Sequence, residues 1–196
     1  MANDTRERIL EAALTIFAEN GYEGTNLLDI AKAVGIVKSA IYRHFSGKEE
    51  LWNELISMME KYYDERFGSE KNLPQVPQST DELIAMTMQM VDFTMHDPRV
   101  KKVRKILLME QFRDARIRDL ASEHFLTGLE SIFTELFKGM MENGSLVQDD
   151  PQMLALAYTA PISALIHLCD REPDREDEAI KTIRDFSEHF VRTYGV

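Results

Sequence analysis

The sequence predicts an all-α fold, in which a small N-terminal three-helix domain with a helix-turn-helix precedes a larger helical bundle. Two observations predict this class. Apolar residues recur at helical spacing along nearly the whole chain, and no run alternates as a strand would. Residues that cap or stop helices, mainly Gly, Pro, Asn and Asp, separate these segments.

The first three predicted helices are closely spaced. Residues 5–19 place a broad apolar stripe on one face, and Gly21 is suited to end that helix. Asn26 can cap a second helix, which stops at Gly35. A third helix over about 38–44 follows the glycine turn, so the second and third helices have the layout of a helix-turn-helix.

The remaining elements are longer. Lys48 begins a fourth helix, and residues 68–80 form a linker with Pro74 and Pro77. Helices are then predicted over about 80–96, 98–112, 115–142, 151–168 and 175–193. Ser79 or Thr80 can cap the first of these, and Pro161 should kink the fourth. We therefore divide the chain into a helix-turn-helix domain, residues 1–47, and a helical regulatory domain, residues 48–196.

The charge of the chain is unevenly distributed. The 196 residues carry 23 Lys and Arg against 34 Asp and Glu, a net charge of -11. Positions 32–48 nevertheless contain four cations and no acid: Lys32, Lys38, Arg43 and Lys48. A local cationic patch on a suspected helix-turn-helix indicates nucleic-acid binding, even in an acidic protein.

The helix-turn-helix layout assigns roles to individual residues. The second helix of such a motif enters the DNA major groove, where side chains reach base edges. The predicted DNA-binding residues on or near this helix are Lys38, Ser39, Tyr42, Arg43 and His44. Lys48, at the start of the next helix, is better placed for phosphate than for bases.

A long ordered set of residues carries a family resemblance. It comprises Phe17-Ala18, Gly21-Tyr22, Thr25, Asp29-Ile30-Ala31, Val34-Gly35-Ile36, Lys38, Ile41-Tyr42, His44-Phe45 and Lys48-Glu49-Glu50-Leu51. The N-terminal region of about 50 residues thereby resembles the DNA-binding domain of TetR-family transcriptional regulators. The rest of the chain resembles that family in length and helical layout only.

The resemblance implies a function. It implies phosphate contacts for Thr25 and Tyr42, and a repressor that a small molecule releases from DNA. Two positions depart from the family pattern: Val37 replaces the usual small hydroxyl residue, and Leu28 replaces a polar or basic one. Both changes remove possible phosphate contacts.

A homodimer on a near-palindromic operator is the expected assembly. One recognition helix covers only a few base pairs of double-stranded DNA, so specificity requires two helix-turn-helix domains roughly 34 Å apart. The helices at 151–168 and 175–193 are the dimerisation candidates, although the same residues could simply fill the core of their own domain.

The region after residue 80 is rich in methionine and phenylalanine, which suits an adaptable apolar pocket. The predicted ligand-lining residues are Met90, Leu108, Met109 and Phe112. The same side chains could instead be core filler. A ligand-independent or corepressor-dependent DNA-binding protein therefore stays an alternative.

The sequence argues against an enzyme. The five histidines are scattered, with no metal-ligand spacing and no phosphate-binding glycine loop, so we expect neither a metal nor a cofactor. Cys169 and His167 face apart on one helix. The single cysteine excludes an internal disulfide. No stretch approaches about 18 consecutive apolar residues, and no signal-peptide core is present, so we expect a cytoplasmic protein without a membrane span.

Overall fold

The computed structural model describes residues 2–67 and 73–196, and it confirms the predicted all-α class. Within these residues the chain forms ten α-helices and no strand; Leu146 and Gly195 form one isolated bridge. The helices are α1 (Ala2–Gly24), α2 (Leu27–Val34), α3 (Lys38–Ile41), α4 (Lys48–Phe67), α5 (Thr80–His96), α6 (Pro98–Glu110), α7 (Ala115–Ser122), α8 (Gly128–Glu142), α9 (Pro151–Arg171) and α10 (Glu176–Tyr194).

Local capping explains many of these boundaries. The Asn26 side chain accepts hydrogen bonds from the backbone N–H groups of Leu28 and Asp29, at 2.9 and 3.1 Å. Ser79 caps α5 by accepting from the Glu82 N–H at 3.2 Å. These two predicted caps are confirmed.

Three predicted boundaries need correction. The third helix ends at Ile41 rather than near residue 44, and residues 42–44 form a turn. The single helix predicted over 115–142 is divided into α7 and α8 by a π-helical turn, Glu123–Thr127. The helix that begins at Pro151 continues through Pro161 to Arg171. Of the predicted linker, residues 68–72 lie outside the described residues, and residues 73–77 are not helical.

The chain forms two compact units. The head unit comprises the residues up to Tyr63 together with Pro98–Ala121, and the bundle unit comprises Asp64–Asp97 together with Ser122–Val196. These units are defined by contacts and do not coincide with the division at residue 47, which concerns function and stays a prediction. The head unit thus contains α6 and most of α7 in addition to the predicted three-helix domain.

The bundle unit is built around an aromatic core. Tyr158 on α9 is fully buried, and its ring centroid lies 4.6 Å from that of Phe190 and 5.6 Å from those of Phe133 and Phe137. Three hydroxyl groups meet inside this core: the Tyr158 hydroxyl lies 2.9 Å from Thr87 Oγ1 and 3.1 Å from Ser187 Oγ. Burial raises the pKa of Tyr158, while its hydrogen bonds with Ser187 and Thr87 act in the opposite sense.

Helix α9 is also long and apolar enough, by length and composition alone, to cross a membrane. The core helix of a soluble bundle passes the same test, and α9 buries Leu154, Tyr158 and Ile162 in the bundle core.

Candidate nucleic-acid interface

The turn between α2 and α3 is set by local backbone chemistry. Gly35 adopts the left-handed conformation, with φ 78° and ψ 32°, and its N–H group closes the end of α2. The inner faces of both helices are apolar, because Ile30 and Ala31 of α2 and Ile41 of α3 are fully buried. This packing fixes which face of α3 points to solvent.

The structure brings five of the seven predicted DNA-binding residues to that outer face and the turn after it. Lys38, Ser39 and Arg43 are exposed, Tyr42 is 51% exposed, and His44 is partly exposed. Among the described residues, neither Lys38 nor Arg43 has an ion-pair partner, so both cations are available to an anionic ligand. An exposed tyrosine between two exposed cations is suited to phosphate and base contacts.

Thr25 and Lys48 are placed differently. Thr25 is 2% exposed, and its hydroxyl donates to the Gly21 carbonyl oxygen at 2.8 Å. The Lys48 ammonium donates to the carbonyl oxygens of Tyr22 and Thr25, at 2.7 and 3.0 Å, and lies 4.3 Å from the Tyr22 ring centroid. In this conformation both side chains connect the loop before α2 to the start of α4, and their contact with phosphate stays a prediction.

Helix α6 braces α1, a feature that the sequence analysis missed. Arg99 forms an ion pair with Glu11, and the Lys102 ammonium donates to Thr15 Oγ1 at 2.9 Å. Both cations belong to a run, Arg99 to Lys105, whose members look on the sequence like a solvated surface. The partners of these cations on α1 lie almost 90 positions away, so no feature of the neighbouring sequence predicted the contacts.

Glu110 at the end of α6 is the most enclosed acid of the head unit. It is 3% exposed, and its carboxylate accepts the Tyr22 N–H at 3.0 Å. The chain can approach so closely only because residue 21 is glycine: an added Cβ would lie 2.6 Å from Glu110 Oε1. Gly21 also has φ 69° and ψ 179°, a conformation that interrupts α1 where the sequence predicts its end.

A second brace joins α4 to the segment that leads into α7. Trp52 is 3% exposed, and its indole N–H donates to Asp114 Oδ2 at 3.1 Å. Burial raises the pKa of Asp114, but the hydrogen bonds from Trp52 and from the backbone of Arg116 and Ile117 outweigh it and hold that pKa below its usual value. The carboxylate therefore stays ionised as an acceptor.

The predicted ligand-lining residues belong to different units. Met90 belongs to the bundle unit, whereas Leu108, Met109 and Phe112 belong to the head unit. Phe112 is 90% exposed, which argues against a pocket-lining role for it in this conformation. An open cleft of about 270 Å³ in the bundle unit is lined by other residues, among them Val76, Leu136 and Gly139. Within the described residues, no cluster of three or more His, Cys, Asp or Glu could hold a metal ion.

The N-terminal part of the head unit matches a known protein family. Residues 9–55, which span α1 to α3 and the start of α4, match the family described as bacterial regulatory proteins, tetR family. The predicted resemblance of the N-terminal region to this family is thus confirmed.

Two relatives match part of the chain. The negative transcriptional regulator IcaR of the icaADBC biofilm operon, from Staphylococcus epidermidis, is 38% identical over 58 residues, which cover 30% of this chain and 31% of IcaR. The transcriptional regulator AcrR of Shigella flexneri is 42% identical over 59 residues, which cover 30% of this chain and 27% of AcrR. The chain therefore matches only about three tenths of the length of these relatives.

The whole fold has a close structural counterpart. SmeT, the repressor of the Stenotrophomonas maltophilia multidrug efflux pump SmeDEF, superimposes in its complex with triclosan with a TM-score of 0.74. The superposition covers 98% of this chain and 92% of SmeT at 21% identity. At that identity the likeness shows a shared fold.

Proposed function

We propose that the protein is a dimeric, sequence-specific DNA-binding transcriptional regulator, a repressor that a small apolar ligand releases from a near-palindromic operator. The observation that carries the proposal is the outer face of α3 and its following turn, where Lys38, Tyr42 and Arg43 are exposed on a buried apolar scaffold. A cationic face of this kind on a short helix after a glycine turn fits the major groove. IcaR is a negative transcriptional regulator, and SmeT is a repressor, which agrees with this sign of control.

Support for dimerisation comes from the outer surface of α9. Met153 is 59% exposed, Ala157 and Ala164 are exposed, and Ala160 and Leu168 are partly exposed. Their spacing places them along one face of the helix. Small and apolar residues in an exposed row suit close packing against a second copy, which would give the two heads that a near-palindromic operator requires.

Support for an apolar ligand comes from the methionines of the bundle unit and from one structural relative. The bundle unit contains several partly buried methionines packed against its core, including Met86, Met88 and Met90. Such side chains adapt to ligands of different shape. SmeT forms a complex with the apolar compound triclosan, so triclosan is a rational first probe for this chain.

If a ligand bound to the bundle unit controls DNA binding, its effect must reach the head unit. Helix α6 follows α5 along the chain after a single residue, Asp97, and α6 belongs to the head unit through its contacts with α1. A ligand that favours one position of α6 over another would therefore shift the position of α1 and α3. Couplings of this kind amount to about 1–3 kcal/mol in typical cases.

The test is selection of fragmented source-genome DNA by the purified protein, followed by affinity measurement on the enriched site. We expect a near-palindromic site bound by two chains, and Arg43→Ala should weaken binding by roughly 5- to 150-fold per half-site, as expected for one bidentate base contact worth about 1–3 kcal/mol in each. Arg184→Ala is the matched control, because Arg184 is an exposed arginine on α10 of the bundle unit. It should leave the affinity unchanged.

Three results would contradict the proposal. Absence of any enriched site at low salt, where phosphate contacts are strongest, would remove the DNA-binding function. An enriched site whose affinity is insensitive to triclosan and to a panel of other apolar compounds would favour the ligand-independent alternative. An affinity that increases with ligand would favour the corepressor-dependent one.

A further inference from the structure

Val37 is an apolar side chain in the middle of a polar surface. It directly precedes α3 and is 69% exposed, between the buried α2–α3 scaffold and the exposed Lys38 and Ser39. Its backbone is extended, with φ -78° and ψ 147°, and its side chain makes no capping hydrogen bond to α3. An isopropyl group cannot cap a helix, and with 69% of its surface exposed this one is open to contact from outside the chain.

The chemistry of the major groove limits what that partner can be. The base edges present hydrogen-bond donors and acceptors, and the C5-methyl group of thymine is the apolar exception. A valine side chain can bury a methyl group without leaving any polar atom unpaired. The cations Lys38 and Arg43 on the same short segment would hold a DNA duplex against this position.

We propose that Val37 contacts the C5-methyl group of a thymine in each half-site of the operator and so specifies T at that position. The inference rests on the proposed DNA-binding function and deepens it, since it assigns one base of the target to one residue. It also gives the departure from the family pattern at Val37 a role: the chain exchanges a hydroxyl group for a selective apolar contact.

Leu28 provides the matched control. It is also an exposed apolar residue of the head, 47% exposed, but it lies in the first turn of α2 and not beside α3. If any exposed apolar side chain on this face strengthened binding by desolvation alone, Leu28 and Val37 would behave alike.

The experiment removes single methyl groups from the DNA. The enriched operator is synthesised with deoxyuridine in place of thymidine at each position in turn, symmetrically in both half-sites. Affinities are measured for the wild-type chain, V37A, V37S and L28A. Deoxyuridine keeps every hydrogen-bonding group of thymidine and lacks only the methyl group.

For the wild-type chain we expect one symmetric position at which uracil weakens binding by about fourfold per half-site, or roughly fifteenfold for both. This fold-change corresponds to the burial of one methyl group at about 0.8 kcal/mol. V37S should bind the thymine and uracil operators equally at that position, V37A should discriminate less than the wild type because alanine keeps only its Cβ methyl, and L28A should keep the wild-type discrimination. V37S separates the contact from helix fraying, because serine can cap α3 while lacking the methyl groups.

Several outcomes would overturn the inference while leaving the proposed function intact. They are an operator without thymine in the contacted bases, tolerance of uracil at every position by the wild-type chain, or unchanged discrimination in V37A and V37S. Absence of any enriched operator would instead remove the proposed function itself.

Discussion

In the head unit, directional polar contacts between segments distant in sequence add to the apolar packing, whereas the core of the bundle unit is dominated by packed aromatic rings. Arg99 reaches Glu11, and the Tyr22 N–H group reaches Glu110, each across 88 positions. In the bundle, Tyr158 packs on Phe137 and Phe190. Hydrogen bonds and ion pairs have strict geometry, so they fix orientation, while apolar packing tolerates exchange and small shifts. The polar contacts of the head unit therefore constrain the orientation of the segments that they join more strictly than ring packing does in the bundle unit.

The substitution with the largest expected effect on stability is at Gly21. We expect Gly21→Ala to destabilise the head unit by about 2–4 kcal/mol, because it combines a backbone conformation nearly restricted to glycine with a clash against Glu110. Urea unfolding followed by the fluorescence of Trp52 measures this, since Trp52 is the single tryptophan of the chain and lies in the head unit.

Gly35→Ala is the comparison that measures the cost of alanine at a positive φ without a close neighbour. Gly35 also has a positive φ, 78°, but an added Cβ there would meet nothing within 4 Å. Its cost should be about 1–2 kcal/mol. A loss for Gly21→Ala no larger than that for Gly35→Ala would mean that neither the close approach of Glu110 nor the ψ of 179° adds to the cost of a positive φ at position 21.

A second test concerns His124 in the π-helical turn of the bundle unit. Although the residue as a whole is partly exposed, its Nε2 atom is buried, and burial lowers the pKa of the imidazole to about 4. The folded state therefore keeps His124 neutral, while the unfolded chain binds a proton below about pH 6.5. Stability should fall as the pH is lowered from about 6.5 to 4, by of order 2 kcal/mol after allowance for the partial exposure.

The measurement is urea unfolding of the bundle followed by circular dichroism between pH 4 and 7. His124→Gln should flatten the slope in this range. His189→Gln should preserve it, because His189 is an exposed histidine of the same unit. Equal slopes for the wild type and His124→Gln would show that the ring is hydrated.

The smallest expected effect is at the hydroxyl cluster in the bundle core. Thr87 and Ser187 each donate to a carbonyl of their own helix, at 2.8 and 2.9 Å, so neither hydroxyl proton is available to Tyr158. The single Tyr158 proton can serve only one of the two neighbouring oxygens. Tyr158→Phe should therefore cost only about 1 kcal/mol.

Thr159→Val is the comparison for this variant. Thr159 is equally buried, but its hydroxyl donates only to the Ala155 carbonyl of its own helix. Its replacement should have a smaller effect on the urea midpoint of the bundle than Tyr158→Phe. A loss of several kcal/mol for Tyr158→Phe would mean that the bundle, like the head, depends on directional bonds.

What could be predicted from the sequence was whatever depends on neighbours in the chain. Asn26, Gly35 and Ser79 act within a few residues of themselves, so their caps and turns were predictable. The apolar stripes of α2 and α10 were predictable for the same reason, because helical periodicity is local. In the candidate interface, local reasoning placed Lys38, Tyr42 and Arg43 correctly on an exposed surface.

The remainder depended on contacts between distant segments. The burial of Thr25 and the internal bonds of Lys48 follow from how the loop before α2 meets α4. The buried Glu110 has its partner on α1, and the exposure of Phe112 follows from a turn that no local signal marks. A basic run and an aromatic residue look the same in a sequence whether they face solvent or a neighbouring helix.

The bracing of α1 by Pro98–Ala121 has a consequence for recombination between related proteins. An exchange of the first 55 residues, the part that the family comparison recognises, would separate Gly21 from Glu110 and Trp52 from Asp114. A chimera built at that junction would keep α3 and lose both contacts. We expect its head unit to keep its stability only when residues 1–55 and Pro98–Ala121 are exchanged together, so the unit that recombination must preserve is discontinuous in the gene.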